Sequence, residues 1–445
     1  MTELLSHVTN TLTPYLGCQR WYIAYSGGLD SHVLLDLVWR LQQCALRNGE
    51  LFPELRAIHI NHQLQLDSAA WAQQCLRRCD EYVIPIQIHT VDIQGRRQGT
   101  ESLARAARYQ VFEGVVGDGD VVLFAHHQDD QAETFLLRLL RGAGVAGLAA
   151  MPVTRPLGCG LLFRPLLEVS RSVLESYANA QGLEWIEDPS NKDPHYRRNF
   201  LRHRVTPVLA EQWPSYRESI SSAAELQAEA AQLLDAYLNA DVSALTDICG
   251  ALDLVGLANL IPVRQRAVLR HFVFVRADLR LDKVQTQEII NQFLNVRDDG
   301  QAVFQLRTGL TLRAYRGLLY CEPTGGTRVF DADLVQSWDG RGDCLIQGLG
   351  RLSSLGGGEF VPRGSMTIRF RRGGERCRLT GHKQSKSLKK LLQEWGVPPW
   401  ERDCLPLIYC DDELAAIADM AICEGFSARA GESGLSLQWQ IEPLT

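Results

Sequence analysis

Several common signals are missing from this sequence, and each absence narrows its chemistry. No Cys-x-x-Cys pair occurs among the twelve cysteines, and the closest two, Cys75 and Cys79, stand at helical spacing. That pattern predicts buried, reduced thiols rather than a disulfide framework or a zinc or iron–sulfur site. No Gly-Lys dipeptide occurs, which excludes a Walker A phosphate loop. No Pro-Cys dipeptide occurs, which removes the zinc deaminases. No uninterrupted apolar run reaches the roughly 18 residues of a membrane span. The stretch Met1–His7 lacks the basic and then apolar pattern of a secretory signal. Nor is there an excess of positive charge: the net charge is −6, so any nucleic-acid surface must be a local patch. The expectation is a soluble, cytoplasmic protein with no membrane partner.

At 445 residues the length suggests roughly three domains. An apolar fraction of 45% with 22% charged residues is enough to build real cores. Residues 1 to about 205 alternate strand and helix patterns. Strands are predicted over Trp21–Tyr25, Arg56–Ile60, Tyr82–Thr90 and Val121–Ala125, with Pro85 marking the third as an edge strand or two pieces. Helices are predicted from Ser31 to Leu41, Ser68 to Cys79, Thr100 to Phe112 and about Asp129 to Leu140. This order argues for an α/β fold with a doubly wound parallel sheet. Ligands of such sheets bind beyond the C-terminal strand ends, where Ser26, Asn61 and His126 should meet in one crevice.

The chain is organised around Ser26-Gly27-Gly28-Leu29-Asp30-Ser31. A strand, a glycine turn and a helix N-terminus together make an anion seat, since close-approaching backbone N–H groups and the helix dipole both favour negative charge. Ser26 and Ser31 add hydroxyls, and Asp30 can hold a divalent cation against the same anion. In His126-His127-Gln128-Asp129-Asp130-Gln131-Ala132-Glu133, Asp130 and Glu133 lie three apart in a first helical turn, hence on one face. Taken alone, these acids equally suit dipole compensation. Gly142-Ala143-Gly144-Val145-Ala146-Gly147 satisfies G-x-G-x-x-G literally, but it follows a helix and opens no βαβ unit, so a dinucleotide site is rejected.

The Ser26–Ser31 hexapeptide resembles the SGGxDS loop of the N-type ATP pyrophosphatases. The stretch His126–Thr134 resembles the HHxDDQxET signature of one subgroup, the tRNA(Ile)-lysidine synthases. Arg141–Met151 is similar to the glycine-rich segment of that family. Arg164-Pro165-Leu166-Leu167, Asp188–Asn191 and Arg198–Arg202 are similar to its RPLL, DxSN and RNxxR elements, and Glu101–Tyr109 to its E-x-x-A-R-x-x-R-Y run.

Residues from about 214 to 240 favour helix. Arg264–Phe272 and Val284–Phe293 read as helices, and Val303–Tyr320 reads as a closing hairpin. Glycine is frequent and patterning weak from 323 to 365, which predicts a loose connection there. From Arg363 to Lys390 there are ten Lys/Arg against one Glu. Within that stretch Leu388, Leu391 and Leu392 form an apolar stripe, and Lys386, Lys389 and Lys390 lie mostly off it. A concentrated basic face in an acidic chain suits phosphate backbone. The FRxGGE, LKKLLQE and PPW stretches between 370 and 400 resemble the C-terminal domain of the longer family members.

The resemblance implies three domains. They are a pyrophosphatase catalytic domain at 1–213, a helical linker and mainly helical domain at 214–325, and a small α+β tRNA-binding domain at 366–445. It implies ATP-dependent ligation of free L-lysine to C2 of the wobble cytidine of tRNA(Ile) with a CAU anticodon, through an adenylated cytidine. AMP and pyrophosphate would be released. Ser26, Gly27, Gly28, Leu29, Asp30 and Ser31 would hold ATP and its pyrophosphate, with Asp30 holding Mg2+. Asp130, Glu133 and His127 would be catalytic or lysine-binding. Arg105, Arg108, Arg198, Arg202, Lys386, Lys389 and Lys390 would meet phosphate or tRNA. The resemblance leaves a homodimer open. The alternatives are another pyrophosphate-loop enzyme, such as a tRNA cytidine thiolase, and a non-catalytic tRNA-binding protein.

Overall fold

The structure is a computed structural model that describes residues 2–63, 67–91, 100–247, 250–294, 302–306, 309–323, 331–429 and 431–441. Its chain divides into two units, Met1–Asp235 and Ala236–Thr445.

The first unit is built on a six-stranded sheet of β1 (Arg20–Ala24), β2 (Glu54–Asn61), β3 (Ile86–Thr90), β4 (Asp120–Leu123), β5 (Thr154–Leu157) and β6 (Gly160–Phe163). The spatial order is β3-β2-β1-β4-β6-β5. All neighbours are parallel except β5, which closes an antiparallel hairpin onto β6. Pro85 directly precedes the edge strand β3, where its missing N–H costs no ladder bond while its carbonyl accepts from Ala57.

Side chains alternate across the sheet as the strand period requires. Trp21 and Ile23 of β1 face one layer, packed with Val33, Leu34, Leu37 and Val38 of α2 (Leu29–Arg47). Tyr22 faces the other layer with Val122, Phe124 and Phe112. Helices α1 (Thr2–Leu12), α3 (Ser68–Glu81), α4 (Thr100–Val115) and α5 (Gln128–Leu139) complete the α/β arrangement. The chain leaves β1 toward β2 and later returns to the opposite side of β1 as β4. The C-terminal ends of β1 and β4 therefore flank the crevice of a topological switch point.

The helix Tyr216–Leu245 carries the chain into the second unit. There the helices Leu254–Ala258, Pro262–Ala277 and Lys283–Leu294 and a four-stranded sheet share a core of Leu252, Val268, Phe272, Ile289, Phe293, Leu312 and Leu319. The rest of the unit holds antiparallel sheets and the short helix Leu388–Glu394 around one core.

Two expectations fail here. Part of the supposed loose connection is ordered sheet, since Gly350–Gly358 pairs along its length with Gly434–Ile441. Gly358 marks close approach rather than slack: a Cβ there would stand 2.2 Å from Ser436 N, where the register shifts through a bulge. Residues 324–330 of that connection lie outside those described. The expectation of reduced thiols fails for one pair, because Cys377 and Cys423 form a disulfide, while the other described cysteines, the buried Cys75 and Cys79 among them, are free. Forty-six residues separate them in sequence, and the pairing of Leu379 with Cys423 brings their segments together. No local spacing announces such a pair.

Candidate functional site

The Ser26–Ser31 loop follows β1 and opens α2, with Gly28 as the last extended residue before the helix. Leu29, Asp30 and Ser31 form the first helical turn, whose N–H groups have no partner within the helix. Gly27 has φ +81°, and a Cβ there would lie 2.6 Å from Ile186 Cδ1 and 2.8 Å from Cys75 Sγ. Only glycine fits. The two serines lock the turn: Ser26 Oγ and Ser31 Oγ are 3.0 Å apart, Ser31 Oγ donates to Gly28 O at 3.0 Å, and Ser26 N donates to Ser31 Oγ at 3.2 Å. Asp30 keeps a buried carboxylate oxygen, Oδ1, with no hydrogen-bond partner.

From β4 the chain enters α5 through His126 and His127. His127 is fully buried, with Nε2 3.7 Å from Asp30 Oδ2 and 3.5 Å from Asp130 Oδ2, and Nδ1 3.7 Å from Asp129 Oδ2. Burial alone would disfavour its charged form, but Asp130, Asp30 and Asp129 outweigh it and raise the His127 pKa. Asp130 moves the other way. Burial pushes its pKa up, yet His127, Arg198, His126 and Arg202 hold it well below the ordinary carboxylate range. Asp130 Oδ2 also accepts the His127 backbone N–H at 3.2 Å.

Arg198 and Arg202 complete the cluster. Arg198 Nε donates to Glu133 Oε2 at 2.7 Å and its Nη2 to Asp130 Oδ1 at 2.9 Å. Arg202 Nε donates to Glu133 Oε1 at 2.7 Å, and its Nη2 reaches Asp130 Oδ1 at 3.2 Å and Glu133 Oε2 at 3.1 Å. Arg202 sits in a five-residue π-helical turn, Leu201–Val205, a wide turn that often marks a functional position. The loop carboxylate, the buried histidine, two acids and two arginines thus form one contiguous charged cluster at the ends of β1 and β4.

Comparison with known proteins agrees with this layout. Family models match a PP-loop domain over residues 2–209, a TilS substrate binding domain over 252–320 and a TilS substrate C-terminal domain over 366–439. The chain is 39% identical over 447 residues to the tRNA(Ile)-lysidine synthase of Coxiella burnetii, covering 99% of this chain and 96% of that protein. It is 39% identical to the enzyme of the same name from Pseudomonas aeruginosa, covering 98% and 97%, and 38% identical to that of Nitrosomonas europaea, covering 94% and 92%. The chain belongs to the tRNA(Ile)-lysidine synthase family.

Gln131 clamps the glycine-rich segment, its Nε2 donating to Met151 O at 3.0 Å while Met151 N donates to its Oε1 at 2.9 Å. Asn199 Nδ2 donates to the carbonyls of Ser190 and Asp193, both at 2.9 Å, and so ties the DxSN loop to the helix bearing Arg198. Arg105 is exposed on α4 and donates to Tyr109 OH at 3.3 Å. Arg108 lies close enough to His62 and His126 to lower the pKa of each, after burial.

Lys386, Lys389 and Lys390 belong to the second unit. Lys389 and Lys390 are exposed, whereas Lys386 pairs with Glu394 at 2.7 Å. The basic stretch is also less bare than its local sequence implies. Arg363, Arg369, Arg371 and Arg372 pair with Glu432, Asp412, Asp403 and Asp333, acids contributed by distant segments.

Sequence reasoning missed Asp129 and Arg217. Asp129 Oδ2 accepts the Arg171 backbone N–H at 2.9 Å, and its Oδ1 accepts from Arg217 Nε. The doubled Asp129-Asp130 was the available signal, but nothing near Arg217 in sequence points to it.

Proposed function

We propose that this crevice adenylates the C2 oxygen of the wobble cytidine in tRNA(Ile) with a CAU anticodon and then lets free lysine displace AMP. The carrying observation is that the buried His127 ring lies against both Asp30 of the phosphate loop and Asp130 of the acid pair. Nucleotide and amine chemistry therefore share one electrostatic centre.

In the first step the cytidine O2 attacks the α-phosphorus of ATP, and pyrophosphate leaves toward the loop. The first-turn N–H groups of Leu29, Asp30 and Ser31, with the Ser26 hydroxyl, receive its negative charge, while the Ser31 hydroxyl, donated to Gly28 O, holds the loop in shape. Gly27 and Gly28 let the backbone come close. The orphaned Asp30 Oδ1 is a hard oxygen donor that would suit a divalent cation. Mg2+ held there would neutralise charge on the departing pyrophosphate. Arg198 and Arg202 are positioned to meet phosphate charge.

In the second step the lysine ε-amine attacks C2, and AMP departs with the former O2. The amine must lose a proton, and Asp130 and Glu133 are the groups to hold the ammonium or accept that proton, with His127 beside them. Both carboxylates are already shared with Arg198 and Arg202, so an incoming ammonium competes for the same oxygens. Arg105 and Arg108, with Lys386, Lys389 and Lys390 of the second unit, are assigned to tRNA or phosphate contact. Residues 1–213 carry the chemistry, 214–325 form a helical linker and a mainly helical domain, and 366–445 bind tRNA, in the cytoplasm where tRNA substrate and free lysine occur together. The test is ATP–pyrophosphate exchange, which should depend on tRNA and not on lysine. Exchange that requires lysine and proceeds without tRNA would mean that the amino acid, not the base, is adenylated.

A further inference from the structure

Beyond the cluster at His127, the first unit gathers arginines around one phenol. Tyr109 of α4 accepts from Arg105 Nη2 at 3.3 Å, and the Arg105 and Arg155 guanidinium carbons stand 5.2 Å and 4.4 Å from its ring centroid. Arg164, 3% exposed, is close enough to Tyr109 for each to shift the other's pKa, donates Nη1 to Pro152 O at 2.6 Å, and sets Nε 3.3 Å from His126 Nδ1. Among the described residues no carboxylate pairs with Arg105, Arg155 or Arg164. Burial and the neighbouring arginines depress the Arg164 pKa to about 10. Burial of Tyr109 works toward a higher pKa, but Arg105, Arg164 and Arg155 overcome it and lower it. Both shifts mark a place short of negative charge.

We propose that Tyr109, Arg105, Arg155 and Arg164 form a seat for a backbone phosphate of the RNA substrate. The ring is engaged by Phe124, stacked at 6.1 Å and 8°, and by the two guanidiniums, so it serves as their scaffold rather than as a platform for a base. What the cluster offers is guanidinium groups gathered at one phenol, those of Arg105 and Arg155 with no carboxylate partner among the described residues, and guanidinium groups suit oxyanions. Arg105 is exposed and Arg155 half-buried on the hairpin strand β5, which leaves a solvent-facing mouth for a polymer. Of the other oxyanions of the reaction, the ATP phosphates belong to the Ser26–Ser31 loop. The α-carboxylate of lysine stands at the far end of the side chain from the ε-amine that Asp130 and Glu133 hold, so it is the rival occupant, and KM for lysine distinguishes it from the RNA backbone.

The seat connects to the reaction centre through an unbroken stack. Phe124 lies parallel to His126 at 5.5 Å and 4°, and His126 adjoins His127 in the chain. A phosphate held at Tyr109 would thus anchor the strand a short distance from the nucleotide being modified.

This inference rests on tRNA being the substrate. It is tested by measuring binding of tRNA(Ile) to the full-length protein across a salt series, together with KM for lysine and ATP. Arg155→Ala should weaken tRNA binding about tenfold and flatten the log–log salt slope by about one. Arg155→Lys should keep the slope, because the charge survives. Arg105→Ala, at the exposed edge, should reproduce the Arg155→Ala slope if the latter variant folds poorly. Wild-type affinity and slope in both alanine variants would overturn the proposal. So would a raised KM for lysine with unchanged tRNA binding, which would identify the amino-acid carboxylate as the occupant. If the wild type makes no lysidine while the alanine variants still lose tRNA affinity, the reaction assignment fails and the phosphate seat stands.

Discussion

Arg202 grips Glu133 with two donors, Nε at 2.7 Å from Oε1 and Nη2 at 3.1 Å from Oε2, and only 2% of the Glu133 side chain reaches solvent. A buried carboxylate is tolerable because this fork and Arg198 neutralise it, and removing one partner strands the other. Glu133→Gln should therefore leave tRNA-dependent pyrophosphate exchange within several-fold of wild type while lysine transfer falls by about 10²-fold or more. Equal loss of both steps would give Glu133 a structural or nucleotide-binding role. A double-mutant cycle with Arg202→Met should show a coupling of about 1–3 kcal/mol by urea unfolding.

The phosphate loop has no room at Gly27. Gly27→Ala combines a positive φ with contacts at 2.6 Å and 2.8 Å, a cost of about 1–3 kcal/mol for the backbone alone. Nucleotide binding, read by fluorescence titration, should weaken at least tenfold by that estimate. Adding Ile186→Val deletes the nearer clashing methyl but not the strained φ, so it should restore only part of the affinity. Full restoration would show that φ is unimportant here.

Asp30→Ala should abolish tRNA-dependent exchange, a loss of about 10²-fold or greater, because the loop's one carboxylate goes with it. Near-normal exchange would remove Asp30 from the phosphate and metal site.

The adjacent histidines should have opposite pH signatures. Burial, aided by Arg164, Arg198 and Arg108, depresses the His126 pKa to about 3 despite Asp130. Between about pH 6.5 and 3 the unfolded chain binds a proton that the folded one refuses, so His126 makes stability fall as pH falls. In His126→Asn the stability lost between pH 7 and pH 5 should shrink by about 2 kcal/mol in urea unfolding. His127, with a raised pKa, contributes stability that is present below about pH 6.5 and lost as pH rises through its folded value. An unchanged pH 7 to 5 difference in His126→Asn would mean that His126 titrates normally.

In the second unit, Lys389→Ala with Lys390→Ala should flatten the salt dependence of tRNA binding by about two units of slope. Lys386→Ala should flatten it by less than either of these, because Lys386 meets tRNA with its charge already shared with Glu394. The reverse ranking would relocate the contact.

What could be read in advance was what is local in the chain. The Ser26–Ser31 turn declares itself because glycine, hydroxyl and carboxylate lie in six consecutive residues. Asp130 and Glu133 share a face by helical spacing alone. The alternating strands and helices around them fixed the sheet type, since each crossover is contiguous. What stayed hidden depends on pairing across the fold. Nothing near Arg198 in sequence shows that it would bond Asp130, and nothing near Arg155 shows that it would stand over Tyr109. Gly356, Gly357 and Gly358 read as slack because glycine propensity cannot tell a loop from a bulged strand, of which Gly358 alone is pressed against the second strand. The basic stretch after Arg363 read as bare because its balancing acids arrive from distant segments.

The most direct test is mass spectrometry of nucleosides from a tRNA(Ile) transcript with a CAU anticodon, after incubation with this protein, ATP, Mg2+ and isotope-labelled lysine. The account predicts one cytidine-derived nucleoside that carries the lysine label and forms only when ATP is present, with Asp30→Ala giving none. Unmodified cytidine under these conditions, or a modified base without the lysine label, would contradict it.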